Sequence, residues 1–97
     1  MAKTVTPETS LKKLVKQSMS IMGWYIFPVL QGLGAHRGIS DFIAVKDGRV
    51  LFLEIKSPKG KMSDNQLEFE RQIKEHGGNY FVIRKIEEVP GIRLKEI

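Results

Sequence analysis

Several features that would assign this sequence to a familiar class of protein are missing from it. The 97 residues contain no cysteine, which excludes disulfide bonds and zinc sites built from thiolates. No apolar run approaches the roughly 18 residues that span a bilayer, and the N-terminus is polar and basic, without the apolar core of a signal peptide. We therefore expect a cytoplasmic protein that is not secreted and has no membrane partner.

Internal repeats, linkers and low-complexity segments are also lacking, so we expect a single domain over residues 1–97. A hydrophobic content of 41% and a charged content of 28% are ordinary for a folded protein and argue against disorder. Positive charge is in excess, because 16 Lys and Arg face 11 Asp and Glu. This balance favours a polyanionic partner such as nucleic acid, although an anionic membrane surface would attract the chain as well.

The pattern of apolar, glycine and proline residues predicts the element order αβββαβ. Thr6 followed by Pro7 is typical of a helix start, and Ser63 with Gln66 three residues later predicts a capping box. Both faces of the two central strands are apolar, which indicates strands that are covered on both sides in an α/β or α+β domain. The predicted helices and strands cover residues 7–22, 24–27, 40–46, 49–55, 63–76 and 80–83, and the tail 86–97 is ambiguous.

The first helix is predicted to be amphipathic. Helical spacing assigns its apolar stripe to Leu11, Leu14, Val15, Ser18 and Met22. The solvated face carries Lys12, Lys13 and Lys16.

The dipeptide Asp47-Gly48 between the central strands is the strongest short-range indication of a two-residue type I′ turn. Such a turn fixes the register and places Asp41 opposite Glu54. Lys56 shares the face of both carboxylates, because side chains alternate between faces with a period of two. Like charges directly opposite each other destabilise a sheet, and a divalent metal ion held between them would remove the repulsion.

Two interpretations of this triplet remain open at this stage. In the simpler one, Asp41 caps a loop and Glu54 pairs with Lys56 or a cross-strand base; a β-bulge would also change which residues share a face. In the other, the two carboxylates hold Mg²⁺ or Mn²⁺, with water and substrate phosphate completing the ligand shell. The backbone carbonyl of Ile55 is a further candidate ligand. A lysine beside the ion would stabilise the negative charge that develops during phosphodiester hydrolysis.

Three segments together resemble the PD-(D/E)XK nuclease superfamily and, within it, the virus-type replication-repair nuclease (VRR-NUC) domain. They are Gly38-Ile39-Ser40-Asp41, Glu54-Ile55-Lys56 and Lys61-Met62-Ser63-Asp64-Asn65-Gln66. The resemblance extends from about Glu8 to Val89 and departs from the superfamily pattern at Ser40, where proline is frequent. It implies an α/β fold with a restriction-endonuclease-like αβββαβ core, in which a mixed sheet is flanked by helices. It also implies a metal site at Asp41 and Glu54 and a catalytic role for Lys56.

The resemblance implies roles for two more residues. Glu8 is the only acidic residue of the first helix and matches the acid that completes the metal site in this family. Its place in the first turn is explained equally by the helix dipole. Gln66 matches a residue beside the catalytic lysine, whereas its spacing from Ser63 is that of a capping box.

Four residues near these segments are candidate contacts to DNA phosphates. His36 and Arg37 precede the strand that carries Asp41, and Lys59 and Lys61 lie between the Glu-Ile-Lys segment and the second helix. For His36 and Arg37 a solvated loop is the competing interpretation. With no second histidine nearby, a histidine metal site is not expected.

We therefore expect a metal-dependent endonuclease that acts on DNA and has no small-molecule substrate. Small stand-alone members of the family resemble phage or prophage proteins, which implies a homodimer that resolves four-way (Holliday) junctions in the cytoplasm of a bacterial or phage-infected cell. The first helix and the strand 24–27 are the expected dimer interface. The competing hypotheses are a flap or restriction-type endonuclease and a basic DNA-binding module without catalysis.

Overall fold

A four-stranded mixed sheet with one helix on each face forms the centre of the structure, a computed structural model that describes residues 6–92. The strands are ordered β1-β2-β3-β4; the pairs β1–β2 and β2–β3 are antiparallel, and β3–β4 is parallel. This topology confirms the predicted αβββαβ core. The elements are α1 Pro7–Ile21, β1 Tyr25–Pro28, β2 Phe42–Lys46, β3 Arg49–Ile55, α2 Asp64–Glu75, β4 Asn79–Ile83 and a 3-10 helix Ile86–Gly91.

The observed bounds differ from the predicted ones by one or two residues at four of the eight strand ends and agree at the other four. β2 begins at Phe42 rather than at residue 40. The tail that was ambiguous in sequence contains the 3-10 helix, and residues 93–97 of that tail lie outside the described residues. Within residues 6–92, no helix has the length and apolar character needed to cross a membrane.

Helix α1 begins as its sequence predicts. Thr6 Oγ1 accepts a 3.1 Å hydrogen bond from the backbone N–H of Thr9, and Pro7 occupies the first helical position, where its missing N–H costs nothing. The helix packs against β1, β3 and the 3-10 helix. Its buried residues are Leu11, Val15 and Met19.

The predicted apolar stripe of α1 was partly wrong. Leu14 and Met22 are 46% and 41% exposed, and Met19 is fully buried instead. The cause is that α1 meets the sheet along a narrow stripe of residues spaced four apart, so only one side of the broader apolar surface is covered. Lys12 also departs from prediction, because it is half-buried rather than on the solvated face.

The turn between β2 and β3 has the predicted type. Asp47 and Gly48 both have positive φ angles, of 52° and 77°, as a type I′ turn requires. The register is the predicted one, from Lys46 opposite Arg49 to Phe42 opposite Leu53, with no bulge. Continued by one residue, it brings Asp41 opposite Glu54.

Helix α2 provides the crossover that parallel strands β3 and β4 need. It begins with the predicted capping box, in which Ser63 Oγ accepts from the Gln66 backbone N–H at 3.1 Å and Gln66 Oε1 accepts from the Ser63 N–H at 2.9 Å. Phe69 fixes the helix to the sheet through edge-on contacts with Phe52 and Tyr80, at centroid distances of 5.6 and 6.0 Å.

The two faces of the sheet differ in polarity. The face under α1 carries the fully apolar core of β2 and β3, which comprises Phe42, Ala44, Leu51, Leu53 and Ile55. The face under α2 is apolar at Phe52 but turns polar at Glu54, near the end of β3. The start of β2, the end of β3 and the start of α2 therefore meet at one corner of the molecule.

Candidate active site

Asp41 lies one residue before β2 and is held from two directions. Its backbone carbonyl accepts a 2.9 Å hydrogen bond from the N–H of Val29, which extends the pairing of β1 and β2. Its carboxylate Oδ2 accepts a 2.7 Å hydrogen bond from the backbone N–H of Ile55, across the hairpin. These contacts fix the carboxylate at the end of β3 and leave Oδ1 for another partner. The sequence predicted the position of Asp41 but not the bond from Ile55.

Glu54 is the most deeply buried ionisable residue of the site, with 2% of its surface exposed. Its Oε2 accepts a 3.2 Å hydrogen bond from Gln66 Nε2 and lies 3.6 Å from Lys56 Nζ. The other oxygen, Oε1, is buried and has no hydrogen-bond partner among residues 6–92. A buried carboxylate oxygen without a partner is costly, and it marks a position where a cation or a proton would be stabilised.

The pKa of Glu54 also indicates that a cation or a proton is stabilised at this carboxylate. Burial, and then the charge of Asp41 beside it, raise the pKa of Glu54 from 4.5 to about 8, although Lys56 opposes the shift. At neutral pH and without a bound ion, Glu54 therefore favours its protonated form, and a cation held between the two carboxylates would favour the charged form. Hard carboxylate oxygens select divalent ions of the Mg²⁺ and Mn²⁺ type, and the donor set at this corner fits such an ion.

Gln66 makes both of the contacts that its sequence position allowed. Its Oε1 completes the capping box with Ser63, and its Nε2 reaches Glu54. One side chain thus joins the start of α2 to the carboxylate in β3. Its catalytic role stays a prediction.

Glu8 lies near the site but contacts it through a lysine that sequence reasoning missed. Lys12 Nζ is 3.6 Å from Glu8 Oε2 and 3.4 Å from Asp41 Oδ1. Among the described residues, no group of three His, Cys, Asp or Glu side chains is arranged to hold a metal ion. The role of Glu8 as a ligand therefore stays a prediction. The spacing of four between Glu8 and Lys12 indicates an ion pair on a helix, but not the contact with Asp41.

The candidate DNA contacts lie in two segments of the chain, one before β2 and one between β3 and α2. The His36 ring packs on Phe69 at a centroid distance of 5.5 Å, and its Nδ1 is 3.0 Å from the Arg37 carbonyl oxygen. The side chains of Arg37, Lys59 and Lys61 are exposed. Their contact with DNA stays a prediction.

Arg84, which the sequence did not assign to the site, shapes the loop after Lys56. Its Nη1 donates to the backbone carbonyls of Ser57 at 2.9 Å and Gly60 at 2.6 Å. The guanidinium of a residue just after β4 thereby sets the shape of the segment that presents Lys59.

Two comparisons with known proteins agree with this geometry. The family model described as the VRR-NUC domain matches residues 29–85, more than half of the chain. A solved structure described as "VRR_NUC domain" superposes with a TM-score of 0.78 at 24% sequence identity, covering 90% of this chain and 94% of the other. No curated protein matches the sequence.

The family match includes Asp41, Glu54, Lys56 and Gln66, whereas Glu8 and Lys12 lie outside it. The structural match, at its low identity, supports the fold. The resemblance recognised in the three sequence segments is thereby confirmed: the chain belongs to the VRR-NUC domain family, the nucleases of the PD-(D/E)XK type.

Proposed function

We propose that this protein is a metal-dependent endonuclease that cleaves DNA at four-way junctions as a homodimer, with residues 1–97 acting as one nuclease domain in the cytoplasm. One observation carries the catalytic part. Glu54 is buried beside Asp41 with an oxygen that has no hydrogen-bond partner among residues 6–92. A divalent cation bound here would satisfy this oxygen and offset the repulsion between the two carboxylates, whereas the Lys56 ion pair is made at the other oxygen, Oε2.

The proposed ligands of Mg²⁺ or Mn²⁺ are Asp41, Glu54 and the backbone carbonyl of Ile55, with Glu8 as a further candidate. When bound, the ion would supply an acidified water and neutralise charge at the phosphoryl group. Gln66 donates to one oxygen of Glu54, Oε2, and leaves the other, Oε1, without a hydrogen-bond partner among the described residues. The backbone N–H of Ile55 likewise donates to one oxygen of Asp41, Oδ2.

Lys56 is proposed to stabilise the charge that develops on the phosphate in the transition state. Its ammonium is 3.6 Å from Glu54 Oε2 and only 13% of its side chain is exposed, so it is held near the reacting phosphate rather than in bulk solvent. Low exposure strengthens its electrostatic effect.

Binding of DNA is proposed to rest on phosphate contacts from His36, Arg37, Lys59 and Lys61. The exposed side chains among them can adjust to the sugar-phosphate backbone of DNA. The net charge of +5 favours binding of this polyanion. Arg84 contributes indirectly, because it fixes the loop that presents Lys59.

The homodimer is supported by apolar surface on the α1 and β1 side of the molecule. Tyr25 is 70% exposed on β1, which is an edge strand of the described sheet, and Ile21 is 86% exposed at the end of α1. Leu14 and Met22, which are 46% and 41% exposed, extend the apolar surface of α1, whereas Tyr25 shares the face of Val45 on the other side of the sheet. A twofold dimer built here would present two active sites to a twofold substrate, which is what paired incision of a four-way junction needs.

A side-by-side cleavage assay tests the proposal. A labelled four-way junction, a 5′ flap, a splayed arm and a duplex are each incubated with the protein in Mg²⁺, in Mn²⁺ and in EDTA. We expect metal-dependent cleavage with preference for the junction, and none with Asp41→Asn. Preference for the flap or for a duplex sequence would favour the competing flap or restriction-type activity. Tight binding without cleavage of any substrate would favour a non-catalytic DNA-binding module.

A further inference from the structure

We propose that Lys12 competes with the divalent cation for Asp41 and so sets the metal concentration at which the site is loaded. This inference rests on the proposed function, since it takes Asp41 as a metal ligand. Lys12 Nζ lies 3.4 Å from Asp41 Oδ1. That oxygen is the one left open by the hydrogen bond from Ile55 to Oδ2, so the ammonium faces the lone pairs that a cation would use.

The same ammonium faces a second carboxylate. Lys12 Nζ is 3.6 Å from Glu8 Oε2, one helical turn earlier in α1. Lys12 therefore stands between Glu8 and Asp41, and its single positive charge is shared by the two carboxylates. The side chain is only 37% exposed, in contrast to its exposed neighbour Lys13.

Competition follows from charge and space together. An ammonium and a divalent ion cannot share one carboxylate oxygen at contact distance without strong repulsion. A cation that binds Asp41 through Oδ1 must displace the Lys12 ammonium, and the free energy of the Lys12–Asp41 pair is subtracted from the free energy of metal binding. Lys12 also stabilises the metal-free state, because its ammonium is a counter-ion for the Asp41 carboxylate.

Metal titration of the wild-type protein and three single variants tests this inference. Mn²⁺ alone is the probe, and the loss of the free-ion signal in electron paramagnetic resonance gives the dissociation constant without any nuclease substrate. We expect Lys12→Gln to bind Mn²⁺ about tenfold more tightly than wild type, equivalent to about 1.4 kcal/mol. Lys12→Arg, which keeps the charge, should bind like wild type. The matched control Lys13→Gln removes the same charge from the same helix at an exposed position, and it should also bind like wild type.

Thermal unfolding supplies a second readout that a merely structural role would not produce. In EDTA, Lys12→Gln should melt below Lys13→Gln, because Asp41 has lost its counter-ion. In saturating Mn²⁺ the difference should shrink or disappear, because the metal replaces the ammonium.

The inference is overturned if the dissociation constant of Lys12→Gln for Mn²⁺ is equal to or higher than that of Lys13→Gln. If wild type then still shows metal-dependent cleavage that Asp41→Asn abolishes, the proposed function stands and only the role of Lys12 fails. If no variant binds Mn²⁺, both fail together. Tighter binding by Lys12→Gln that disappears in the Lys12→Gln, Asp41→Asn double variant supports both.

Discussion

The backbone N–H of Ile55 donates a 2.7 Å hydrogen bond to Asp41 Oδ2, so the strand that carries Glu54 also fixes the carboxylate of Asp41. The separation of the two acids consequently depends on the register of the hairpin rather than on side-chain rotamers alone. A slip of one residue would place them on opposite faces of the sheet. The tight Asp47-Gly48 turn prevents such a slip.

Asp41→Asn and Glu54→Gln should each abolish cleavage while leaving the fold and DNA affinity intact. Each change removes a negatively charged ligand and preserves shape, so we expect a rate at least about a thousandfold lower, the scale of losing an electrostatic catalytic group. Single-turnover cleavage, melting temperature and DNA binding in EDTA provide the measurements. Glu75→Gln, at an exposed position paired with Arg71, is the control. Near wild-type cleavage by either site variant would show that the carboxylate pair does not hold the metal.

In metal-free protein, the free energy of unfolding should decrease as the pH rises from about 4.5 to about 8. The pKa of Glu54 is raised from 4.5 to about 8, so in this interval the native state keeps a proton that the unfolded chain releases. The contribution of Glu54 to the free energy of unfolding is fully present below pH 4.5 and is lost as the pH rises through the pKa of Glu54 in the folded protein. It amounts to at most about 5 kcal/mol. Thermal unfolding in EDTA measures it. Glu54→Gln should remove this part of the slope, and superimposable profiles of the two proteins would contradict the assignment.

DNA affinity should fall steeply with added salt, and the Lys59–Lys61 loop should account for part of the slope. Lys59→Ala and Lys61→Ala should each flatten the plot of log affinity against log salt by about one unit, if each neutralises one phosphate. Arg49→Ala removes a charge at the other end of β3 from Glu54 and should leave the slope unchanged. Unchanged slopes for both lysine variants would remove this loop from the DNA surface.

Gly38→Ala should destabilise the protein and slow cleavage. Gly38 has a φ of +72°, and a Cβ there would overlap the backbone of Asn65 at the start of α2. The loop before Asp41 would have to move away from the helix that carries Gln66, and we expect a loss of about 2 kcal/mol or more. Gly34→Ala, also at positive φ but facing open space, should cost about 1 kcal/mol. Equal melting temperatures for the two variants would show that the close approach is unimportant.

Light scattering at micromolar concentration should give twice the chain mass of 11.0 kDa. Tyr25→Asp places a charge on exposed β1 and should convert the dimer to a monomer that is folded and binds metal. Such a monomer should nick a junction on one strand without paired incision. A wild-type mass near 11 kDa would contradict the dimer and would favour flaps over junctions as the substrate.

Short-range chemistry made much of the site predictable from sequence. The Asp47-Gly48 turn specifies the register from backbone geometry alone, and the register carries Asp41 to Glu54. The capping box of Ser63 and Gln66 is likewise local to one helical turn.

The contacts that could not be predicted depend on how separate elements pack together. Lys12 contacts Asp41, 29 positions later in the sequence, only because α1 packs on the sheet at one particular angle. Nothing in the sequence indicates this contact, because Glu8, one turn earlier, is a sufficient local partner for Lys12. Arg84 bonds to the carbonyls of Ser57 and Gly60 for a similar reason. Backbone carbonyls leave no trace in side-chain patterns, so such contacts become visible only in three dimensions.

Both carboxylates, the lysine and the amide come from the continuous stretch Asp41–Gln66, whereas Lys12 arrives from a different helix. Proteins open locally in cooperative units, each of which is a contiguous part of the structure. The entropic cost of keeping two segments together is small when the loop that connects them is short. In an excursion that detaches α1, the hairpin and the start of α2 can remain joined through Ile55, Glu54 and Gln66. The proposed ligands would then stay assembled while Lys12 moves away with α1, so motion of α1 alone would change the charge that an arriving cation meets.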